Sequence, residues 1–521
     1  MRPLLTSLLI LGTIAGFGAA QNCPILGPAY PAPNNVSSSA FASAKAAFDE
    51  ALTRAHSHGR IPSNTTFYSI QVYSPASRNL IHSVYYTATN KTVSRKPVTV
   101  GPDTIFRIFS LSKLLTVYTI LTKLGDKYWN EPVSKYVPEL AAAQNRRQNA
   151  IDDVDWDEVT LGSLSSLMSG IARDCIFPFT STYNTPNYSN MAFQILAYAV
   201  ENITGQPFAE LVRTQLVEPL NLTRTFLTNP EQHTKLSDAV ITEGWDWDLG
   251  DESPTGGYYS TISDLTTLGT SILNSTLLPA KATRKWLKPL THTGSLLTSI
   301  GRPWEILRRA IPFPSRPRIA DVYTKQGGSD TYVSFLALSP DHNIGISILT
   351  ASAGKSDAFD VIKKLSLDIW IPAAEQAARD QAGGDFVGRY TLGGGGNASA
   401  SAEIQLLPGQ PGLYVHSLVS EGVDFFGLIQ SLLGREGELK AWLYPIGLVS
   451  EKGGKKKVAF RAVFGVLGVE AEEDCATWAQ VDSGRFGGHP KDLFIFEVDE
   501  GGRATGLEVP ILGKVLGKVG Q

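Results

Sequence analysis

The stretch that decides the fold is Ser110-Leu-Ser-Lys-Leu-Leu-Thr-Val-Tyr-Thr-Ile-Leu-Thr-Lys-Leu124, which Gly125 ends. Apolar residues occupy nearly every side of a helix drawn through it, and a helix of this kind belongs in a protein core. These residues are Leu111, Leu114, Leu115, Val117, Tyr118, Ile120, Leu121 and Leu124. Ser110 and Lys113 are three positions apart, so their side chains share one face of the helix.

This pair has a chemical meaning. A serine hydroxyl is a weak nucleophile until a neighbouring base takes its proton, and a lysine kept away from water loses its own proton more easily. A position at the helix N-terminus would also aim free N–H groups at the site. The alternative is a purely structural role, with a serine that caps the helix and a lysine at the surface. The apolar surroundings of Lys113 argue against this alternative, because a buried charge is costly without a partner. A second match, Ser352-Ala-Gly-Lys355, follows a strand in a small polar loop.

Two later motifs supply possible partners for Ser110. In Tyr188-Ser-Asn190, a phenol can relay a proton and an amide can hold a substrate carbonyl and the lysine. In Lys325-Gln-Gly327-Gly328, a lysine adds positive potential, and glycines allow close approach and leave a backbone N–H for an oxyanion. Taken alone, Tyr188 would more often be a packing residue, and Lys325 a lysine that protects an edge strand.

In this order the three motifs resemble the serine β-lactamase, penicillin-binding-protein and esterase superfamily, closest to its class C-like branch. The resemblance covers roughly residues 40 to 370, and four further stretches share in it. These are Asn130 to Leu140, Val159 to Gly170, Thr204 to Phe208 and Gly256 to Asp264.

The resemblance implies an acyl-serine mechanism. Ser110 would attack, Lys113 and Tyr188 would share proton transfer, and Asn190 would position the substrate. Lys325, Gly327 and Gly328 would form the substrate-binding strand, with the N–H groups of Ser110 and Gly328 as the oxyanion hole. No metal or other cofactor is implied.

Departures from the family pattern bear on the substrate. Gln326 replaces the threonine usual between the lysine and glycine of the third motif, and the histidine usual before Ser169 is absent. These changes weaken the case for recognition of a carboxylate of the penicillin type and favour esters or unusual amides. The loop Glu243-Gly-Trp-Asp-Trp-Asp248 is equally consistent with the wall of an acyl pocket and with a packed surface loop.

The pattern of elements predicts an α/β (α+β) fold. Short β-rich runs occur at residues 67–72 and 81–86, and again at 322–325, 332–338 and 344–349. Helical patterns fill the middle, so we expect an antiparallel sheet assembled from both ends and flanked by a helical insertion. A surface helix over 39–56 should bury Phe41, Ala44, Phe48 and Leu52.

The predicted organisation has five parts: a signal peptide (1–20), an extended leader (21–38), a β-lactamase/transpeptidase-like catalytic domain (39–375), a linker (376–385) and an all-β C-terminal domain (386–521). The first part pairs Arg2 with an apolar run and small residues ending at Ala20, a secretory pattern. We therefore expect an extracellular protein with no membrane segment after cleavage. Eight sequons suit that route: Asn35, Asn64, Asn90, Asn187, Asn202, Asn221, Asn274 and Asn397.

Composition narrows the partners. A net charge of −3 with 18% charged residues lacks the basic excess of a nucleic-acid binder. The expected partner is a small-molecule or peptide acyl substrate, and the sequence leaves the oligomeric state open. The cysteines Cys23, Cys175 and Cys475 permit at most one bridge within the chain, and the pair is undetermined.

The leading hypothesis is a secreted serine hydrolase or acyltransferase acting on an ester, amide or lactam. The alternatives are a non-catalytic binding protein that keeps the fold, and a true β-lactamase or D-aminoacyl peptidase. An α/β-hydrolase is disfavoured because the sequence has no Gly-x-Ser-x-Gly elbow.

Overall fold

The computed structural model describes residues 24–144, 151–232, 238–312, 318–393, 398–433, 437–466 and 477–520. These residues form two compact units. One comprises residues 33–309 and 321–374 and carries all the predicted site residues; we call it the catalytic unit. The other comprises, among the described residues, 24–32, 310–312, 318–320 and the chain from residue 375, and we call it the C-terminal unit.

The elements from the first helix to the end of the large sheet follow the predicted order of strands, helices and strands. They are α1 (Ser39–Ser57), β1 (Thr66–Tyr73), β2 (His82–Tyr86), β3 (Ile105–Arg107), α2 (Ser112–Leu124), α3 (Pro138–Gln144), α4 (Leu161–Ser165), α5 (Met191–Thr204), α6 (Phe208–Val212), α7 (Ser253–Gly256), β4 (Tyr259–Thr261), α8 (Ile262–Leu273), α9 (Ala280–Trp286), β5 (Thr291–His292), β6 (Thr298–Ile300), β7 (Glu305–Ile311), β8 (Arg318–Gly328), β9 (Tyr332–Ser339) and β10 (Ile344–Ser352).

The large sheet is built from both ends of this stretch. Its strand order is β2-β1-β10-β9-β8-β7-β6-β5, and β1 pairs antiparallel with both β2 and β10. The early hairpin thus lies directly beside the last strand, which confirms the predicted assembly. Strands β1 and β10 are buried along their whole length because helices cover the sheet.

The two helices read from the sequence are confirmed. In α1, the predicted face is buried: Phe41, Ala44, Phe48 and Leu52. In α2, every residue from Ser112 to Leu121 is buried, and Gly125 ends the helix with φ 64°. A positive φ suits glycine because it has no Cβ to clash with the backbone. The helix therefore holds Lys113 inside the core of the catalytic unit.

The C-terminal unit is mainly β, as predicted. Its further elements are β11 (Gly388–Leu392), β12 (Ala400–Gln405), β13 (Leu413–Ser420), β14 (Val423–Asp424), α11 (Phe425–Leu433), β15 (Leu439–Lys452), β16 (Lys455–Val466), α12 (Thr477–Gln480), β17 (Arg485–Phe486), β18 (His489–Pro490), β19 (Leu493–Val498), β20 (Ala504–Val509) and β21 (Lys514–Lys518). The order β12-β11-β21-β20-β19-β16-β15-β13 closes on itself through a β12–β13 pairing, so eight strands surround one apolar core.

The predicted linker over 376–385 is wrong in its conformation. These residues lie inside the long helix α10 (Ala358–Phe386). Ala378 and Ala382 are buried in the core of the C-terminal unit, and their spacing of four places them on one helical face. Alanine is the strongest helix former. The alanine-rich residues that suggested a linker therefore continue the helix, and Gly383 and Gly384 lie in its last turn.

The leader also differs from expectation in part. Residues 24–38 contain no helix or strand, and α1 begins at the predicted residue Ser39. However, the chain up to residue 32 belongs to the C-terminal unit, where Tyr30 is buried in the core. The leader is therefore a packed segment and not a free tether.

Other expectations fall largely outside the described residues. These include the signal peptide, Cys23, Cys475 and the sequon at Asn397. Cys175 is exposed and is a free thiol in the structure. Within the described ranges, the helices are all too short or too polar to cross a membrane.

Candidate active site

Ser110 lies in a tight turn that leads into α2. The turn is a single 3₁₀ segment, Phe109–Leu111, so the serine stands just before the first residue of the helix. Phe109 has φ 44°, a conformation that costs a residue with a side chain about 1–3 kcal/mol and that clusters at functional sites. Neighbouring elements hold this backbone: Ile108 N–H donates to Tyr258 O (3.0 Å), and Ser334 Oγ donates to Ile108 O (2.6 Å).

Gly327 allows β8 to lie directly against this turn. A Cβ at this position would come within 2.1 Å of Ile108 O, 2.5 Å of Leu111 N and 2.7 Å of Ser110 N. All three are backbone atoms, which cannot rotate away. The sequence predicted that glycine here admits a substrate backbone, but the structure shows that Gly327 admits the backbone of the turn at Ser110.

Lys113 is the centre of the site. Its Nζ lies 3.2 Å from Ser110 Oγ, 2.8 Å from Asn190 Oδ1 and 2.9 Å from Thr255 O. Burial, reinforced by the cations Lys325 and Arg173, holds the pKa of Lys113 well below that of an ordinary lysine. A neutral amine has two N–H bonds, which could donate to the Asn190 and Thr255 oxygens and would leave the lone pair for Ser110 Oγ.

Tyr188 lies near the side chains of two lysines and one arginine. The centre of its ring is 4.9 Å from Lys113 Nζ, 5.2 Å from Lys325 Nζ and 4.8 Å from the guanidinium carbon of Arg173. The predicted partners Tyr188 and Lys325 are thus brought to the Ser110–Lys113 pair. Arg173 was not anticipated, and it lies on the segment between α4 and α5 that ends at Tyr188.

Asn190 holds the lysine, as the sequence suggested. It stands one residue before α5, accepts a hydrogen bond from Lys113 through Oδ1, and donates through Nδ2 to Asp174 (2.7 Å). Its own N–H donates to Arg173 O (2.7 Å). The amide is therefore oriented from both ends. Its proposed contact with substrate stays a prediction.

Lys325 is buried and ion-paired. Its Nζ donates to Glu305 Oε1 (2.6 Å) and to Gln326 O (2.6 Å). Burial acts to lower the pKa of this lysine, but Glu305 and Tyr188 outweigh burial and raise the pKa. The pKa values of the two lysines are thus shifted in opposite directions, so that Lys113 favours the neutral form and Lys325 the charged form. Such opposed environments are how proteins assign acid and base roles.

Gly328 presents its N–H away from β9. Ser329 N–H donates to Tyr332 O (2.8 Å) across the β8–β9 hairpin, and alternate residues of a strand point their N–H groups in opposite directions. Gln326, two residues earlier, accordingly turns its N–H to Glu305 Oε2 (3.0 Å). Gly328 follows the same alternation and lines the cleft beside Ser110. This orientation is compatible with the predicted oxyanion role.

The site opens into a cleft of about 850 Å³. One part of its lining is apolar: Phe109, Trp247, Leu249 and Val333. Another part is charged: Arg173, Glu252, Glu305 and Asp330. Within the described residues no cluster of three or more histidine, cysteine, aspartate or glutamate side chains could hold a metal ion.

The two tryptophans of the 243–248 loop have different positions. Trp245 is fully buried and packs on Tyr259, with ring centres 4.8 Å apart. Trp247 is 52% exposed, lines the cleft and packs edge-on against Phe109. The buried guanidinium of Arg107 donates to the carbonyl oxygens of Gly244 and Trp245, which fixes the loop. Trp245 therefore fits a packed loop, while Trp247 lines the cleft, and the role of that cleft as an acyl pocket stays a prediction.

Sequence reasoning missed Glu305, Arg173 and Thr255. Thr255 contributes through its carbonyl oxygen, which no side-chain pattern reveals, and Glu305 reaches Lys325 from a neighbouring strand. The second Ser-x-x-Lys match in the sequence, Ser352 to Lys355, does not form a site of this kind. Ser352 ends β10 and donates to Gly354 O, while Lys355 is exposed in the following loop, so the two do not form a buried pair.

Two protein-family models match the chain. A family model described as Beta-lactamase matches residues 82–368, and one described as Beta-lactamase-like-like, C-terminal domain, matches residues 378–520. A "Beta-lactamase-like protein" of Arthroderma benhamiae is 29% identical, covering 89% of both chains. A "Probable hydrolase M10" of Phoma sp. is 24% identical, covering 73% of this chain and 71% of that one.

Among solved structures, the octameric penicillin-binding protein homologue from Pyrococcus abyssi is 14% identical, with a TM-score of 0.48, and covers 90% of this chain and 99% of that one. The Beta-lactamase family model spans more than half of the sequence and includes every predicted site residue. The chain belongs to the serine β-lactamase superfamily and has its hydrolase fold.

Proposed function

We propose that the protein is a serine hydrolase that acts on an ester or amide through an acyl-serine intermediate. The observation that carries the proposal is the environment of Lys113. Its Nζ is 3.2 Å from Ser110 Oγ, its other two partners are acceptors, and burial favours its neutral form. These are the properties a general base for a serine nucleophile needs.

In the first step, Ser110 Oγ bonds to the acyl carbon of the substrate while its proton passes to Lys113. The N–H groups of Ser110 and Gly328 would stabilise the negative oxygen that forms. The bond to the leaving group then breaks, and the proton on Lys113 passes by way of Tyr188, whose ring lies near both lysines, to the leaving group. In the second half, water gives a proton to the again neutral Lys113 as its oxygen bonds to the acyl carbon. The bond from the acyl carbon to Ser110 Oγ then breaks, and the proton on Lys113 returns to Oγ.

Asn190 and Lys325 support this chemistry from opposite sides. Asn190 would keep Lys113 in reach of Ser110, and the charge of Lys325 would favour the neutral form of Lys113. The apolar wall of Phe109, Trp247 and Leu249 offers a surface for an apolar acyl group.

The test uses a fluorophosphonate probe and a substrate panel of p-nitrophenyl esters, nitrocefin and D-alanyl peptides. We expect labelling of the wild type and turnover of at least one ester. Ser110→Ala should abolish labelling and lower kcat/KM by about 10³-fold or more. Ser352→Ala, at the rejected motif, is the matched control and should label like the wild type. Labelling or turnover that survives in Ser110→Ala would remove this serine from its role.

We further propose that the protein is secreted and glycosylated. The support is the signal-like pattern of residues 1–20 and the exposure of Asn35, Asn64, Asn90, Asn202, Asn221 and Asn274. Asn187 and Asn202 are weaker acceptors, because their amides donate to Ile171 O (2.6 Å) and to Tyr136 O (2.7 Å). N-terminal sequencing of protein from the culture medium should begin near residue 21, and glycosidase treatment should reduce its mass. Protein found only inside the cell would contradict this proposal.

A further inference from the structure

We infer that Glu305 sets the charge preference of the leaving-group side of the cleft. The enzyme accepts esters or amides whose leaving group is neutral or cationic, and it discriminates against leaving groups that carry a carboxylate. This inference rests on the proposed function and adds a substrate class and a specificity-determining residue to it.

The first observation is the way in which Glu305 covers Lys325. The Lys325 side chain is 1% exposed and that of Glu305 is 30% exposed. Glu305 lines the cleft and Lys325 does not. An incoming group therefore meets the carboxylate before the ammonium, and the positive charge is already paired.

The second observation is that Glu305 is fixed. Oε1 accepts from Lys325 Nζ at 2.6 Å, and Oε2 accepts from Gln326 N–H at 3.0 Å. A substrate carboxylate that sought Lys325 would have to displace both contacts. The Gln326 side chain carries no positive charge to replace Lys325, and its Oε1 is held by Lys363 Nζ (3.1 Å) on α10.

The third observation is the balance of charge around the cleft. Its charged lining consists of Arg173 against Glu252, Glu305 and Asp330. The exposed Arg173 also lies 3.7 Å from Asp174. Like charges placed close together disfavour a wrong ligand. An anionic group is thus repelled, and a neutral or cationic group is accepted.

The location assigns this preference to the leaving group. Tyr188 is the proposed proton donor to the leaving group, and Lys325 Nζ lies 5.2 Å from its ring centre. Glu305 forms an ion pair with that same Nζ atom. A leaving group that takes its proton from Tyr188 therefore departs next to the Glu305 carboxylate.

The experiment compares two acetate esters that differ in one charge, 4-acetoxybenzoate and methyl 4-acetoxybenzoate, in wild type and Glu305→Gln. The measured quantity is the ratio of kcat/KM for the carboxylate ester to that for the methyl ester. Intrinsic reactivity cancels when the ratio is compared between enzymes. We expect the ratio to rise by about tenfold or more in Glu305→Gln, because Lys325 becomes free to bind the carboxylate.

Asp330→Asn is the matched control. It removes one negative charge from the same cleft without releasing Lys325, and an exposed charge is largely screened. We expect its ratio to change less than about twofold. Equal rises in both variants, or an unchanged ratio in Glu305→Gln, would overturn the assignment to Glu305.

Two further results distinguish failure of this inference from failure of the proposed function. If wild type turns over neither ester and no fluorophosphonate labels Ser110, the proposed function itself has failed. If Glu305→Gln does not fold, inhibition of the wild type by the two products decides the matter. Methyl 4-hydroxybenzoate should then inhibit more strongly than 4-hydroxybenzoate, and the reverse order would overturn the inference.

Discussion

Lys113 shows how a single residue can acquire a function from its surroundings. Its side chain is buried in the core, and its Nζ donates hydrogen bonds to the oxygens of Asn190 and Thr255. Burial and two neighbouring cations lower its pKa, while Glu305 and Asp174 act in the opposite sense. If neutral Lys113 is the base, kcat/KM should rise with pH as this group loses its proton, below the range of an ordinary lysine.

Two exposed neighbours, Arg173 and Asp174, should move that pH profile in opposite directions. Arg173 lowers the pKa of Lys113, so Arg173→Gln should raise it and shift the acidic limb to higher pH. Asp174 raises the pKa, so Asp174→Asn should shift the limb to lower pH, and its amide can still accept from Asn190. The measurement is kcat/KM for a neutral ester across pH. Shifts of the same sign in both variants would contradict the role given to Lys113.

At the scale of single residues, the sequence predicted the features that depend on spacing and apolar pattern. The spacing placed Ser110 and Lys113 on one helix face, and the order of the later motifs identified Tyr188 and Lys325 as their partners. Glu305 could not be predicted, since it pairs with Lys325 across neighbouring strands that the sequence did not reveal. Arg173 depends on the path of an irregular segment, for which no periodicity exists.

Among the elements, β8 determines whether the turn at Phe109–Leu111 can form. Gly327→Ala would place a Cβ within 2.1 Å of a backbone oxygen, so β8 and the turn must separate. We expect a loss of about 3 kcal/mol or more in stability, together with loss of fluorophosphonate labelling. Gly328→Ala is the control: its Cβ would stay 3.3 Å or more from its neighbours, so the expected cost is within about 1 kcal/mol. Similar melting temperatures for both variants would contradict this packing argument.

The 243–248 loop is the element that we expect to select the acyl group. Trp247→Ala removes the exposed ring that packs on Phe109 at the cleft wall. The ratio of kcat/KM for p-nitrophenyl octanoate to that for the acetate should fall several-fold, because a longer chain loses more apolar contact. A ratio equal to that of the wild type would place the acyl group elsewhere in the cleft.

Element prediction succeeded where one periodicity dominated. The hairpin of β1 and β2 and the buried α2 follow from clear patterns. The error at 376–385 arose because alanine and glutamine continue a helix as readily as they form a tether, and only the core of the C-terminal unit decides between these outcomes. Strands β5 and β6 have two and three residues, too few for a pattern to emerge.

For the whole molecule, three separate segments of the chain form the C-terminal unit. Among the described residues, these are 24–32, the part of 310–320 that the structure describes, and the chain from residue 375. Arg318 lies where they meet. Its guanidinium pairs with Glu375 (2.9 Å) and donates to Gly27 O (2.8 Å), and the side chains of the ion pair are 2% and 5% exposed. Sequence patterns describe neighbours along the chain, so this assembly could not be predicted from them.

Removing one partner of this pair should therefore weaken the C-terminal unit. Glu375→Ala leaves the Arg318 charge buried without its carboxylate, and we expect a loss of about 3–5 kcal/mol. The double variant Arg318→Met with Glu375→Leu removes both charges and should be destabilised less than the single variant. Scanning calorimetry of the full chain measures both effects. If the double variant unfolds at the same temperature as Glu375→Ala or below it, the cost lies in lost hydrogen bonds such as that to Gly27 O, and not in an uncompensated charge.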